Sequence, residues 1–224
     1  SGFKGSSVLL TSDCCHSGAF TEELPAIKTS KQWGVLASVQ PGSRSTGNWT
    51  YTQCLLDVLN GYSPVDTDND GSITFKEAGA WIEAEMAFCE DQLSCAWLRG
   101  MKESLVLGKV TDRKPARVGE RLEAEDEGKW WKIKVLDAKD GKLFVTWLGW
   151  DKKWDRWIEE KDARAYKPQV YEGGTAVEVE WDGTWYPAKV MQTRLGLHFV
   201  HYEGFPEADR EWVPRKRIRL PKKK

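Results

Sequence analysis

The second half of the chain repeats itself. Trp130 returns as Trp185, 55 positions on, and the same offset carries Gly128 to Gly183, Lys134 to Lys189, Val135 to Val190, Gly141 to Gly196, Phe144 to Phe199 and Val145 to Val200. It runs on without a gap through Trp147 and Tyr202, Gly149 and Gly204, Trp150 and Phe205, Trp157 and Trp212, Ile158 and Val213, and Arg164 and Arg219. Agreement at one spacing over so many positions means two copies of one small module. Within each copy apolar and polar residues alternate, as in Trp131-Lys132-Ile133-Lys134-Val135 and Leu143-Phe144-Val145-Thr146-Trp147, with Gly or Asp-Gly between runs. Such runs are short strands joined by turns. Four or five of them in about 50 residues suit a strongly bent barrel that closes its own edges.

The rest of the sequence has a different chemistry. Before residue 110 there are 8 Lys+Arg and 13 Asp+Glu, a net of -5; after it there are 25 and 21, a net of +4. The whole-chain charge of -1 is the sum of these halves and excludes a general polyanion binder. Nine of the 13 Trp residues fall after the same cut. Residues 109–117, with Thr111, Asp112 and Pro115 and little apolar content, have the composition of a linker. No apolar run approaches the roughly 20 residues needed to span a bilayer, and the first residues lack a secretory signal. Five Cys without metal-type spacing argue for reduced thiols. The expectation is a soluble, cytoplasmic chain with no membrane partner, with the nucleus as the alternative in a eukaryotic cell.

In the repeated half, a strand reading Trp/Tyr-x-Ala/Ile-Lys-Val, a strand ending in aromatic-x-Gly-aromatic, and then Asp-x-Trp-Val/Ile resemble the Tudor-knot and chromo-barrel group of the Tudor-like family. The run from Trp147 through Trp150, Trp154 and Trp157 to Ile158 is especially close to the chromo-barrel signature. The resemblance implies SH3-like barrels at 118–167 and 170–220. It also implies recognition of methylated lysine or arginine by an aromatic cage, and in some members of nucleic acid. Trp147, Trp150 and Trp154 crowd one strand end and turn, and the resemblance implies Trp131 as a further wall. Electron-rich faces around one void attract a methylammonium, by about 2 kcal/mol when desolvated. The three are expected on an exposed face, Trp157 and Trp212 in packing. In copy two Tyr186, Tyr202 and Phe205 take the matching places, but Asp209 stands where Trp154 does. That copy either pairs its carboxylate with a lower-methylated ammonium or only supports its neighbour. The run Arg215 to Lys224 holds seven basic residues and no acid. It reads either as a solvated tail, 221–224 at its end, or as a weak pointer to nucleic acid.

Residues Val8 to Gly18 read as a short buried strand running into a small-residue turn, which exposes a nucleophile. The spelling Asp13-Cys14-Cys15-His16-Ser17-Gly18 resembles the nucleophile motif of the caspase and metacaspase superfamily. The second strand from Trp33, the loop 39–47 and the helix opened by Asn48-Trp49-Thr50 resemble the strand, substrate-binding loop and helix start found after the nucleophile in that superfamily. The resemblance implies a cysteine endopeptidase in which Cys15 is the nucleophile and Asp13 helps form an acidic pocket for a basic side chain of a peptide or protein substrate. Its general base is a His that precedes the Cys, and no His precedes Cys15 in this chain. The expected fold is thus multidomain α/β plus β: the C-terminal part of a caspase-like α/β sheet domain over 1–108, then two small β-barrels.

Within that first part, Asp66-Thr67-Asp68-Asn69-Asp70-Gly71-Ser72-Ile73-Thr74-Phe75-Lys76-Glu77 matches an EF-hand calcium loop: carboxylates at positions 1, 3 and 5, Gly at 6 and Glu at 12. Asp66, Asp68, Asp70 and Glu77 are expected to bind Ca2+ through side chains, Ser72 through its carbonyl and Thr74 directly or through water. The exiting helix presents Ala78, Trp81, Ile82, Met86, Cys89 and Leu93 on one apolar face. Two functions remain open: a calcium-binding cysteine peptidase joined to reader modules, or a non-catalytic adaptor in which the peptidase half is a remnant.

Overall fold

The structure, a computed structural model, describes residues 4–221 and is mostly β-sheet. The chain divides into two compact units: Ser1–Leu56 with Thr74–Leu105 and Pro168–Lys224, and Asp57–Ile73 with Val106–Lys167. Neither follows the linear order expected from sequence, although each barrel falls whole inside one unit.

The elements before the barrels are β1 (Ser7–Ser12), α1 (Phe20–Glu23), β2 (Gln32–Ala37), α2 (Thr50–Leu59), β3 (Ser72–Thr74), α3 (Phe75–Glu90), β4 (Cys95–Arg99) and β5 (Val106–Lys109). In the first unit β1 runs parallel to β2 and β4 antiparallel to it, in the order β1-β2-β4. Central β2 buries Val35, Leu36 and Ala37, and Tyr51 of α2 donates its hydroxyl to Leu36 O at 2.6 Å. The α/β expectation is met only by this small sheet; a complete α/β domain is not present among the described residues. β1 was expected to be buried and is instead an edge strand alternating exposed and half-buried, because no described strand lies on its other side. α3 starts at Thr74, whose hydroxyl accepts from Glu77 N–H at 3.3 Å while the Glu77 carboxylate accepts Thr74 N–H at 3.0 Å, a capping box. Its Ala78, Trp81, Ile82 and Met86 are buried as their spacing requires, and Asp91 closes the helix with a left-handed backbone.

The first barrel, in the second unit, consists of β6 (Arg121–Asp126), β7 (Lys129–Lys139), β8 (Lys142–Trp147), β9 (Arg156–Glu159) and β10 (Ala163–Ala165), ordered β10-β6-β7-β8-β9. β9 and β10 are opposite edges of this sheet, yet only Glu160–Asp162 separate them. Such a link reaches about 14 Å at most, so the sheet must curl until its edges nearly meet. A bulge between Val135 and Asp137 lets long β7 bend. Leu122, Ile133, Val135, Leu143, Val145 and Trp147 fill the interior.

The second barrel, in the first unit, repeats this with β11 (Ala176–Trp181), β12 (Thr184–Arg194), β13 (Leu197–Tyr202), β14 (Glu211–Pro214) and β15 (Ile218–Arg219), ordered β14-β13-β12-β11-β15. Its bulge, between Val190 and Gln192, falls at the same place in the repeat. The last strand is clamped alike in both copies. Arg164 stacks 3.6 Å from the Trp130 ring centre and bonds Glu123 at 2.9 Å, while Arg219 stacks 3.9 Å from Trp185 and bonds Glu178 at 2.6 Å.

Two sequence expectations change here. The basic run is not a free tail through residue 219: Arg215 bonds Ile218 O and the Tyr171 hydroxyl, Lys216 pairs with Asp91, Arg217 with Glu211 and Arg219 with Glu178. Arg217 and Arg219 are thus already paired with carboxylates within the chain, and Lys222–Lys224 lie outside the described residues. The segment 109–117 is not a loose linker either. Lys109 ends β5, Val110 N–H reaches Gly71 O, Thr111 bonds both Asn60 O and Gly61 O, and Lys114 N–H reaches Ser63 Oγ.

Candidate functional site

In the first barrel, β7 supplies Trp131, the end of β8 supplies Trp147, and the connection to β9 supplies Trp150 and Trp154. Gly149 takes φ 83, which lets Trp150 N–H close a turn onto Trp147 O at 3.1 Å. The Asp151 side chain then accepts from Lys153 N–H at 2.9 Å and sets the short helical turn Lys152–Trp154. Trp150 is the centre of the group. Trp131 meets it at 5.0 Å and 84°, Trp154 at 6.0 Å and 88°, and Trp147 at 6.2 Å and 47°. Edge-to-face contact is an arrangement that aromatic quadrupoles favour, and it holds these indoles in one group.

The four are not equally exposed. Trp154 is 47% exposed, Trp131 and Trp150 are half-buried, and Trp147 is only 3% exposed. The expected exposed trio is therefore corrected: Trp147 is a core residue at the base of the group, because alternation along β8 turns it inward with Leu143 and Val145. Trp157, expected in packing, is 44% exposed and leans on Phe144 at 5.5 Å on the outer face. Phe144 and Trp157 are cross-strand partners on β8 and β9, so pairing, not enclosure, holds this Trp.

Two residues beside this group were not read from the sequence. Arg156 lays its guanidinium 4.7 Å from the Trp147 ring centre and pairs with Asp126. One oxygen of Asp155 is buried without a hydrogen-bond partner. A single Asp or Arg beside a Trp carries no periodic signal, so only the fold reveals them.

The second copy brings its trio together as well. Tyr186 meets Phe205 at 5.7 Å and 89° and Tyr202 at 6.4 Å and 90°, and Tyr202 lies 6.1 Å from Phe205. Tyr202 is buried and donates to Glu211 Oε1 at 2.6 Å. Burial first, and the Glu211 carboxylate second, push its phenol well above the usual range. Asp209 closes the short turn Glu207–Asp209 and is exposed.

In the N-terminal sheet, Cys14 and Cys15 are exposed just after β1. Ser45 N–H donates to Cys15 Sγ at 3.4 Å. Asp13 accepts from the Thr52 hydroxyl at 2.7 Å and the Ser45 hydroxyl at 3.5 Å, so α2 and the loop after β2 fix its carboxylate beside the cysteines. Close approach requires Gly18: a Cβ there would meet Val39 O, Gln40 C and Pro41 N at 2.5 Å. No imidazole is hydrogen-bonded to Cys15 among the described residues. His198, buried in β13, accepts Tyr171 N–H through Nε2 at 2.9 Å.

In the acidic loop the carboxylates of Asp66, Asp68 and Asp70 lie within 4.8 Å of one another. Loop N–H groups hold them: Asp70 and Gly71 donate to Asp66 at 3.2 and 3.0 Å, and Ser72 to Asp70 at 2.7 Å. Three convergent oxygen donors on a rigid turn fit a hard cation such as Ca2+. Ser72 and Thr74 lie on β3, and Glu77 is engaged in the capping box of α3. Arg113 also reaches this loop, bonding Asp66 Oδ2 at 2.8 Å and Asn69 Oδ1 at 2.8 Å.

No protein-family model matches the sequence, and comparison with curated proteins finds no match. Among solved structures the chain is similar to the tandem Agenet domains 3-4 of ADCP1, at 17% identity over 47% of this chain and 79% of that one, with a TM-score of 0.22. It is similar also to AGD34 of AGDP1 from Arabidopsis thaliana, at 16% identity over 47% and 82%, with a TM-score of 0.22. A third is the four MBT repeats of Drosophila melanogaster Sfmbt in complex with a methyl-lysine peptide, at 15% identity over 45% of this chain and 36% of that one, with a TM-score of 0.20. At TM-scores this low the likenesses establish neither fold nor ligand for this chain, and the two barrels rest on their own geometry.

Proposed function

We propose that the chain is a tandem reader of the Tudor-like kind, whose first barrel binds a methylated lysine or arginine side chain of a protein tail. The observation that carries this is the group of four indoles in which Trp150 meets Trp131 and Trp154 near-perpendicularly and contacts buried Trp147. A cation within about 6 Å of several ring centres gains from each face, and a methylated ammonium loses less hydration on entering than a bare one. In the test, a trimethyllysine peptide is titrated into the full chain. Trp150→Ala weakens binding at least tenfold while circular dichroism stays unchanged; equal affinity for methylated and unmethylated peptides rejects the cage.

A second activity is favoured by a separate observation: exposed Cys15 at the end of β1, with the Ser45 N–H on its sulfur. On this reading the sheet β1-β2-β4 belongs to a caspase-like cysteine endopeptidase, with Asp13 receiving a basic substrate side chain and the loop from Asp66 binding Ca2+. Asp66, Asp68 and Asp70 would hold the ion, which would supply positive charge that stiffens the turn. An arginine-directed peptide electrophile labels Cys15, faster with calcium, if this holds. No labelling of the protein with any sequence upstream of Ser1 included leaves the adaptor reading, in which recognition is the whole function.

A further inference from the structure

In the second barrel Arg217 is held by groups from two strands. Its Nε donates to Glu180 O of β11 at 2.9 Å, and its two Nη atoms donate to the Glu211 carboxylate of β14 at 2.8 and 3.1 Å. The Glu180 carboxylate lies 3.9 Å away, and the Trp181 ring centre is 5.5 Å from the guanidinium. Two parallel N–H bonds to one carboxylate, with a ring alongside, are the contacts that a planar guanidinium makes best.

The first barrel lacks this side chain. At the repeat offset of 55, Arg217 corresponds to Asp162, Glu180 to Glu125, Trp181 to Asp126 and Glu211 to Arg156. A carboxylate thus stands where the second copy keeps its own cation. The corresponding surface is a groove of about 770 Å³ lined by five carboxylates, Glu125, Asp126, Glu127, Glu159 and Asp162, against two cations, Arg156 and Lys161. Arg156 is taken by Asp126 and the Trp147 face, and Glu159 pairs with Lys142 at 3.2 Å. Glu125, Glu127 and Asp162 have no ion pair among the described residues, so three unpaired carboxylates face one unpaired Lys161. Trp157 adds an exposed indole to the same groove. It leans on Phe144 at 5.5 Å and 43°, as Trp212 leans on Phe199 at 5.3 Å and 37°. Carboxylates that accept a fork of N–H groups and an indole that takes a flat cation suit arginine better than lysine.

We propose that the groove beside Trp157 in the first barrel receives an arginine side chain from a basic segment of another protein, as the second barrel receives its own Arg217. The second copy supplies the precedent within the same chain, and the unpaired carboxylates supply the charge complementarity. Arg156 touches both this groove and the Trp147 ring, but no methyl group is needed here, so the groove and the tryptophan group can be tested apart.

A fluorescein-labelled peptide of alternating Gly and Arg is titrated into the full chain at physiological ionic strength and followed by anisotropy, beside its Gly and Lys counterpart. Saturable binding of the arginine peptide is expected, with the lysine peptide at least fivefold weaker because an ammonium offers no planar fork. Asp162→Arg, which gives the first barrel the residue of the second, weakens it at least tenfold, and so does the double variant Glu125→Gln with Glu127→Gln. Trp150→Ala in the tryptophan group and Asp68→Asn in the acidic loop leave it unchanged. Because Glu125, Glu127 and Asp162 are exposed, these variants keep the wild-type melting temperature to within a few degrees. No saturable binding, equal binding of the two peptides, indifference to both groove variants, or loss of binding with Trp150→Ala or Asp68→Asn overturns the proposal.

Discussion

His198 is the residue whose chemistry is most at odds with its surroundings. It is buried, uses Nε2 to accept the Tyr171 N–H, and is held below the usual imidazole range by burial, with the nearby Arg215 charge acting the same way. A group whose folded pKa is depressed binds its proton more readily in the unfolded chain, so the folded state is favoured above the ordinary value near 6.5 and loses that advantage as pH falls below it. The melting temperature of the first unit is therefore expected to fall between pH 6.5 and pH 5, and His198→Gln, which keeps an acceptor but has no proton to gain, flattens that slope. Trp147 and Trp154 differ at the same scale. Trp147→Ala removes a buried indole and costs about 3–5 kcal/mol, read as a lower denaturation midpoint. Trp154 is 47% exposed, so on the proposed reading Trp154→Ala is expected to reduce methylated-peptide binding with a stability cost below about 1 kcal/mol.

Elements decide how the acidic loop behaves. Its three carboxylates are held by their own backbone, and Arg113 of the segment after β5 is ion-paired to Asp66. A cation entering the loop must displace or tolerate that guanidinium. Arg113→Ala is expected to tighten Ca2+ binding several-fold by calorimetric titration, and Asp66→Asn to abolish it. The loop's exit is set by the capping box, so Thr74→Ala costs α3 about 1 kcal/mol, measurable by urea denaturation. The strands teach a complementary lesson. Alternation located β7, β8, β12 and β13 from the sequence, and the offset of 55 foretold that the same residues would recur. It did not tell that β1 would be an edge, since edge or centre depends on which other strands are present to pair with it.

At the scale of the whole molecule the units do not follow the order of the chain, and each barrel belongs to a different one. The matched residues Trp157 and Trp212 show what that means. They are equivalent in sequence and in ring geometry, yet Trp212 packs in a cluster with Ala87 and Leu93 whereas Trp157 lies open. Trp212→Asp is accordingly expected to broaden or split the thermal transition of the first unit in calorimetry, and Trp157→Asp to leave unfolding of the second almost unchanged. Sequence alone determined that there are two copies of a bent β module, that indoles cluster at the end of β8, that an acidic loop has calcium-ligand spacing and that a cysteine ends a strand. Those are local facts, written in period and spacing. Only the tertiary structure decided that Trp147 is core, that Lys216, Arg217 and Arg219 of the basic run are held in internal ion pairs, that residues 109–117 are bonded to the segments flanking the acidic loop and that one of two matched tryptophans is covered. Burial and pairing depend on what arrives from distant parts of the chain, and no local pattern records that.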